Sequence, residues 1–344
     1  MPSPTLKKWL WRAVKLAVVV LVVWFVHGTL MRAWNELQQG QYQWVMRPGW
    51  IVLSGGSYLL ALLPSGVFWY FALRRLGQEA GFGESMRAYY IGHLGKYVPG
   101  KATVVILRTG MIAGHRVHAG IAAASVFLET LTWLAVGSFW AAAYLAITLR
   151  GEHVAFWGAI GLMLVAGLPT SPPAFKRLAR LAGIGRSDPA VAEQLGRLNY
   201  RILILGWLGM GVGWAVMGLS FWATLRGMDL PCTNAFPELP RFTASVALAT
   251  VVGFMVIFIP AGVGVREAAL VGLILPYLSR IVAEPELAAW ISVALFRLVS
   301  VVSEALISGI LYVGGMRWRK DSAQAQSRAP DLQTPAPDPQ SPAP

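Results

Sequence analysis

The sequence predicts an all-α protein: a polytopic transmembrane helix bundle of about eight spans, with broken or re-entrant helices and an inverted repeat as its candidate plan. Three observations carry this. Hydrophobic residues make up 56% of the 344 residues and charged residues 13%, about half the charge of a soluble domain. Apolar runs such as Leu16–Val26, Ala119–Phe127 and Leu131–Leu149 are those of membrane helices. Basic residues collect between the runs: Lys7, Lys8, Arg12 and Lys15 before the first, Lys176, Arg177, Arg180, Arg186, Arg197 and Arg201 in one loop, and Arg317, Arg319 and Lys320 after the last. This positive-inside pattern sets orientation. It also removes nucleic acid as the reading of the net charge of +13, because the charges mark membrane edges.

The elements follow in order. An uncleaved first span is expected over about Val14–Leu30, since His27-Gly28-Thr29-Leu30-Met31 is a poor signal-peptide cleavage site. The second covers about Trp50–Leu73 and ends at Arg74 and Arg75. The next apolar stretch, Ala88–Ala113, contains Gly95-Lys96-Tyr97-Val98-Pro99-Gly100-Lys101. Pro99 lacks a backbone donor and the glycines weaken helix on both sides, so this stretch is expected to be re-entrant. The third span covers about Ala119–Leu149 and carries one internal charge, Glu129. The fourth, about Val154–Leu168, is short and ends in Pro169-Thr170-Ser171-Pro172-Pro173. The fifth covers about Ile202–Leu225, and its glycines at 206, 209, 211 and 213 suit close helix packing. Two apolar arms, Phe242–Ile259 and Val265–Leu278, flank a second break, Pro260-Ala261-Gly262-Val263-Gly264-Val265-Arg266-Glu267. The sequence leaves open whether these arms cross fully or fold back. The last span covers about Leu287–Val313. Residues 1–316 are thus expected as the membrane domain, and 317–344 as a disordered, Pro-rich cytoplasmic tail, since that stretch has little apolar surface to bury. Both termini are expected on the cytoplasmic side of a bacterial inner membrane.

Lipid tolerates irregular, charged backbone only where protein or water surrounds it, so the two breaks are the candidate site. Lys96, Lys101 and Arg108 share the first. A single charge at the bilayer centre costs roughly 2.5–3.5 kcal/mol on insertion scales, and glycine-rich backbone with free N–H groups suits an anion. Snorkelling lysines in an ordinary loop are the plainer alternative. Arg266 and Glu267 follow the second break, where Glu267 either caps the next helix or orients an anion bound by Arg266. Glu129 needs a proton or one of these cations as a partner, and serves as counter-ion or coupling group. Arg297 and Glu304 lie seven apart on one helix face with Ser300 and Ser303 beside them, and each is expected to pair with another helix. Tyr97, Gly262 and Gly264 complete the candidate binding set. The histidines His93, His115 and His118 have no company with metal-ligand spacing. Cys232 is the only cysteine. No catalytic residue, metal or cofactor is expected, and no ATP-binding motif is present.

These two breaks, with Arg108, resemble the two signatures of the lysylphosphatidylglycerol synthase transmembrane-region family, also called flippase-like membrane proteins. The resemblance covers about residues 10–315. It departs at Ala261, where the family's Pro-Gly-Gly-x-Gly has a glycine. Well-known members carry an added soluble aminoacyltransferase domain, and this chain ends after the bundle. The resemblance therefore implies the translocating half without the synthase. The expected activity is translocation of an anionic phospholipid, glycolipid or polyprenyl-phosphate-linked headgroup. An intramembrane transferase, or a non-transporting accessory subunit of a lipid- or glycan-modifying enzyme, is the alternative. The partners to consider are an anionic membrane lipid, a glycosyltransferase or lipid synthase, and a second copy in a homodimer.

Overall fold

The computed structural model describes residues 45–98, 102–148, 153–181, 183, 189–232, 235–256 and 260–328. The expected first span, Lys101, and residues 329–344 lie outside the described residues. Eleven helices are described: α1 (Pro48–Arg75), α2 (Phe82–His93), α3 (Ala102–Ile112), α4 (Ala119–Thr148), α5 (His153–Gly167), α6 (Pro172–Leu181), α7 (Pro189–Gly196), α8 (Tyr200–Gly227), α9 (Ala235–Met255), α10 (Val265–Leu278) and α11 (Pro285–Arg328). No strand occurs among the described residues.

Four helices are long and apolar enough to cross a membrane: α1, α4, α8 and the Pro285–Gly315 part of α11. A fifth is counted if Phe156–Thr170 and Pro172–Leu181, bent by 67° at their junction, form one span. Proline at the start of α6 accounts for the bend, because Pro172 and Pro173 cannot continue the hydrogen-bond ladder of the preceding turn. The expected count of about eight is not reached among the described residues.

Polarity runs inside out. Leu60, Leu208, Val212, Leu306 and Ile310 are all more than 60% exposed, while Arg108, Glu129 and Glu304 are at most 3% exposed. Burying charge and exposing leucine is favourable only when the outside is hydrocarbon. The chain is an integral membrane protein.

The two arms that flank each break fold back on each other. In the first, α2 and α3 pack side by side. A Cβ on Gly92 would lie 2.4 Å from Arg108 Cγ, and one on Gly95 2.9 Å from the Val104 nitrogen, so the glycine-lined arm lets the return arm lie directly against it. In the second, α9 and α10 pack together, and a Cβ on Gly262 would meet the Gly253 backbone at 2.7 Å. The turn there runs through Ala261, Gly262 and Gly264, with φ of 50°, 65° and 85°. Glycine suits such angles; Ala261 adopts one with a side chain.

These hairpins sit in two like units. Each unit is a long helix, a broken hairpin and a long helix: α1, α2–α3, α4, then α8, α9–α10, α11. The contacts mirror each other. The return arm packs on its own unit's last long helix, α3 on α4 and α10 on α11, while the entering arm also packs on the other unit's last long helix, α2 on α11 and α9 on α4. At the centre α1 and α8 form the most extensive helix pair among the described residues. They run antiparallel: Arg47 N donates to Gly227 O at 2.8 Å, and a Cβ on Gly206 would meet the Phe68 ring at 2.4 Å. Between these ends, Ser54 Oγ lies 2.8 Å from Thr224 Oγ1, and Gly213 faces the Ala61 carbonyl oxygen at 2.6 Å from its would-be Cβ. Small residues bring the backbones together, as expected of the glycines in the fifth span. Gly211 serves differently, accepting from Trp140 Nε1 through its carbonyl at 3.1 Å.

Candidate functional site

The first break is a short 3-10 turn, Leu94–Tyr97, and it touches the second, Pro260–Gly262. Around this meeting point the bundle gathers its buried charges.

Arg108, on α3, places Nη1 2.6 Å from Glu129 Oε2 on α4. Both side chains are nearly inaccessible. Ser65 of α1 donates to the other Glu129 oxygen. The Arg108 guanidinium lies over the Tyr89 ring at 4.2 Å, a cation–π contact strengthened by desolvation. Glu129 thus has the basic partner its sequence position demanded.

Lys96 points from the first break to α11, with Nζ 2.5 Å from Glu304 Oε1. Tyr58 of α1 donates to the same oxygen, and Lys96 donates to the Tyr58 hydroxyl at 3.3 Å. Lys96 is therefore bound by the second unit, across the contact between halves. His93 joins the two ion pairs: Nε2 is 3.0 Å from Lys96 Nζ and Nδ1 is 3.4 Å from Arg108 Nη2. A neutral imidazole accepts at one nitrogen only, so it can satisfy Lys96 or Arg108 but not both.

The third cluster is on the second unit. Gly264 N donates to Glu267 Oε2 at 2.6 Å, the N3 half of a capping box at the start of α10, since glycine has no side chain to supply the other half. Glu267 Oε1 is 3.4 Å from Arg297 Nε on α11. Glu267 both caps the helix and pairs with a cation. The Arg297 guanidinium lies 5.4 Å from the Tyr97 ring centre, and Lys96 Nζ 5.1 Å from it. Tyr97 is thus an aromatic face between cations from both units. Arg297 and Glu304, on one helix, do not pair with each other. Each reaches a different element, as their spacing implied.

Four described cations, Lys96, Arg108, Arg266 and Arg297, face three carboxylates, Glu129, Glu267 and Glu304. Arg266 is half-buried and forms no ion pair among the described residues. Arg297 Nη2, Arg108 Nε and Glu304 Oε2 are buried with no hydrogen-bond partner among the described residues. Buried polar atoms are rarely left so; two of the three are guanidinium nitrogens, each with an N–H to donate, and the third is a carboxylate oxygen. Gly262 and Gly264 contribute the turn, and Gly264 its N–H, which Glu267 already occupies. No group of three metal-ligating side chains occurs among the described residues.

Sequence reasoning missed three members: Tyr58, Ser65 and His93. Tyr58 and Ser65 are seven apart on α1, on one helix face, and His93 is one turn before Lys96. The signal was the polar stripe on an apolar helix, but serines and tyrosines are common in membrane helices and the stripe alone does not single them out.

The model of the lysylphosphatidylglycerol synthase transmembrane region matches residues 12–308. No curated protein and no solved structure matches the chain. The family match spans most of the chain, including both breaks and every charged residue of the site, and links the protein to membrane-lipid function. The chain belongs to the lysylphosphatidylglycerol synthase transmembrane-region family.

Proposed function

We propose that this protein moves an anionic lipid headgroup between leaflets through the polar centre formed by the two breaks. The observation that carries this reading is the charge balance: among the described residues of the network four cations face three carboxylates, and the cation without an ion pair, Arg266, stands at the second break near Arg297, whose Nη2 has no hydrogen-bond partner. A phosphate accepts from both guanidinium groups, and Arg is suited to bidentate contact of this kind. Lys96 and Arg108 are occupied by Glu304 and Glu129 and hold the site's shape. They turn toward the headgroup only when those contacts open. Lys101 is assigned to the same pocket from sequence alone.

The antiparallel pairing of α1 with α8 and the mirrored contacts of the two units support an inverted-repeat plan, in which one unit rocks against the other around a central site. In this reading the hairpins are re-entrant, their tips meet near the midplane, and the acyl or prenyl tail stays in lipid. Both termini face the cytoplasm by the basic-residue count. The Lys96–Glu304 pair crosses between units, so rocking exchanges that contact for headgroup contacts.

Scrambling of a labelled anionic phospholipid in proteoliposomes tests the reading. Lys96→Ala and Arg266→Ala should each lower the rate at least tenfold while the protein still elutes as a folded species. Wild-type rates in both variants would reject it. So would scrambling by wild type no faster than in protein-free vesicles.

A further inference from the structure

On the outer surface, at the basic end of the bundle, α1 and α8 leave a groove of about 710 Å³. That is within the range of small-molecule sites, roughly 300–1,000 Å³. Its long wall is apolar: Phe68 and Phe71 from α1, and Leu205, Gly206 and Gly209 from α8. Phe71 is 53% and Leu205 69% exposed. Gly206 lets the Phe68 ring lie against α8, its would-be Cβ falling 2.4 Å from that ring, while a Cβ on Gly209 would meet only Pro64, at 3.6 Å. Its end is cationic: Arg74 and Arg75 in the last turn of α1 and Arg201 in the first turn of α8 line it. None of the three has a carboxylate within ion-pair distance among the described residues. Asn199 also lines the groove, but its side-chain oxygen is engaged in accepting from Ile202 N at 3.2 Å.

Arg74 and Arg75 are explained in part by the negative end of the α1 dipole. The helix dipole does not account for Arg201, which stands at the positive end of α8; the positive-inside pattern places it at the membrane edge, where it lines one groove with two further guanidinium groups. Three unneutralised cations at the mouth of an apolar cleft, in a membrane protein, complement one class of ligand. The groove also lies on a different face of α1 from Tyr58 and Ser65, which point to the ion network; at about 100° per residue, Pro64, Phe68 and Phe71 are centred about a quarter turn or more away.

We infer that this groove holds one anionic phospholipid, its phosphate on Arg74, Arg75 and Arg201 and one acyl chain along Phe68, Phe71 and Leu205. The site is separate from the centre proposed for translocation and does not depend on it. The chain's own apolar segment 14–30 is the competing occupant, but Lys7, Lys8, Arg12 and Lys15 lie at its basic end and would add positive charge where negative charge is called for.

Native mass spectrometry of the full-length protein in detergent, with dioleoylphosphatidylglycerol or dioleoylphosphatidylcholine added, tests this. Wild type should retain a phosphatidylglycerol that the phosphatidylcholine arm does not supply. Near a membrane surface each arginine contributes about fivefold in affinity, so Arg74→Gln/Arg75→Gln/Arg201→Gln should lose that lipid. Lys96→Ala should keep it, which separates this site from the central one. A phosphatidylglycerol with a photoactivatable acyl chain, used on wild type, guards against misfolding of the triple variant. Its cross-links should fall within 64–71 and 202–209. Equal retention of both lipids by wild type, cross-links confined to other helices, or efficient cross-linking of Phe71→Cys to a cysteine placed within 14–30 would each overturn the assignment.

Discussion

The two broken hairpins are alike in architecture and opposite in charge. In the first, the return arm supplies the cation and the following long helix the acid, Arg108 to Glu129 at 2.6 Å. In the second, the return arm supplies the acid and the long helix the cation, Glu267 to Arg297 at 3.4 Å. Each pair ties a return arm to the long helix of its own unit. What the architecture requires there is neutralisation of a buried charge, and either polarity provides it. The difference lies in what else the charges do. Arg108 and Glu129 are closed off, held further by Ser65 and by the Tyr89 ring, although Arg108 Nε is itself buried without a hydrogen-bond partner among the described residues. Glu267 divides its oxygens between Arg297 and the Gly264 N–H, and leaves Arg297 Nη2 without a hydrogen bond and Arg266 without an ion pair among the described residues. Among the described residues of the site, the cation without an ion pair, Arg266, lies on the second unit, and the shorter ion pair lies in the first.

That contrast can be broken at its strongest point first. Removing one partner of a fully buried ion pair costs about 3–5 kcal/mol, so Arg108→Ala or Glu129→Ala should sharply lower the melting temperature or abolish recovery of folded protein. Glu129→Gln should be milder, because the amide keeps the shape and can still accept from Arg108. Arg297→Ala should cost clearly less than Arg108→Ala, since its contact is longer and Glu267 keeps its cap. Equal losses measured by thermal unfolding in the same detergent would show that the units are energetically equivalent, and the comparison would fall.

Glycine substitutions sharpen it next. Gly92→Ala puts a methyl 2.4 Å from Arg108 Cγ and should cost about 1–3 kcal/mol by overpacking. Gly272→Ala, in the second hairpin with nothing within 4 Å, should be neutral or stabilise by up to about 1 kcal/mol through helix propensity. A destabilising Gly272→Ala would mean that the outer face of α10 is covered.

The meeting of the two tips is open to a direct probe. Tyr97→Cys with Ala261→Cys, in a Cys232→Ser background, should cross-link through a short bifunctional thiol reagent. Position 261 already holds a side chain at positive φ, so cysteine there adds little strain. Cross-linking no faster than for a pair placed on α5 and α11 would separate the breaks and remove the shared centre.

Arg266→Ala should have the smallest effect on stability, within about 0.5 kcal/mol, because no ion pair is lost. Its effect belongs to transport. A large destabilisation would place Arg266 among the structural charges and leave the second unit as closed as the first.

The class, the two breaks and most of the buried charges that gather where they meet were legible in the sequence. Composition and run length identify a helical membrane protein because hydrocarbon admits few alternatives. Lys96, Arg108, Glu129, Arg266, Glu267, Arg297 and Glu304 were legible because a charge in an apolar run is expensive wherever the chain goes, so each one asks for a reason. The tertiary structure decided the partners. That Glu129 takes Arg108 while Glu304 takes Lys96 depends on which arm lies against which long helix, and no one-dimensional pattern encodes it. It also decided that the two arms of the second break pack against each other, which the sequence left open, as the arms of the first do. Apolar length shows that a segment can cross a membrane; close packing of one arm on the other is allowed by glycines such as Gly92 and Gly253, which let the neighbouring arm approach. Tyr58, Ser65 and His93 entered the site for the same reason. A hydroxyl or a neutral imidazole costs little in isolation and gains its meaning only from the buried charge it is folded against.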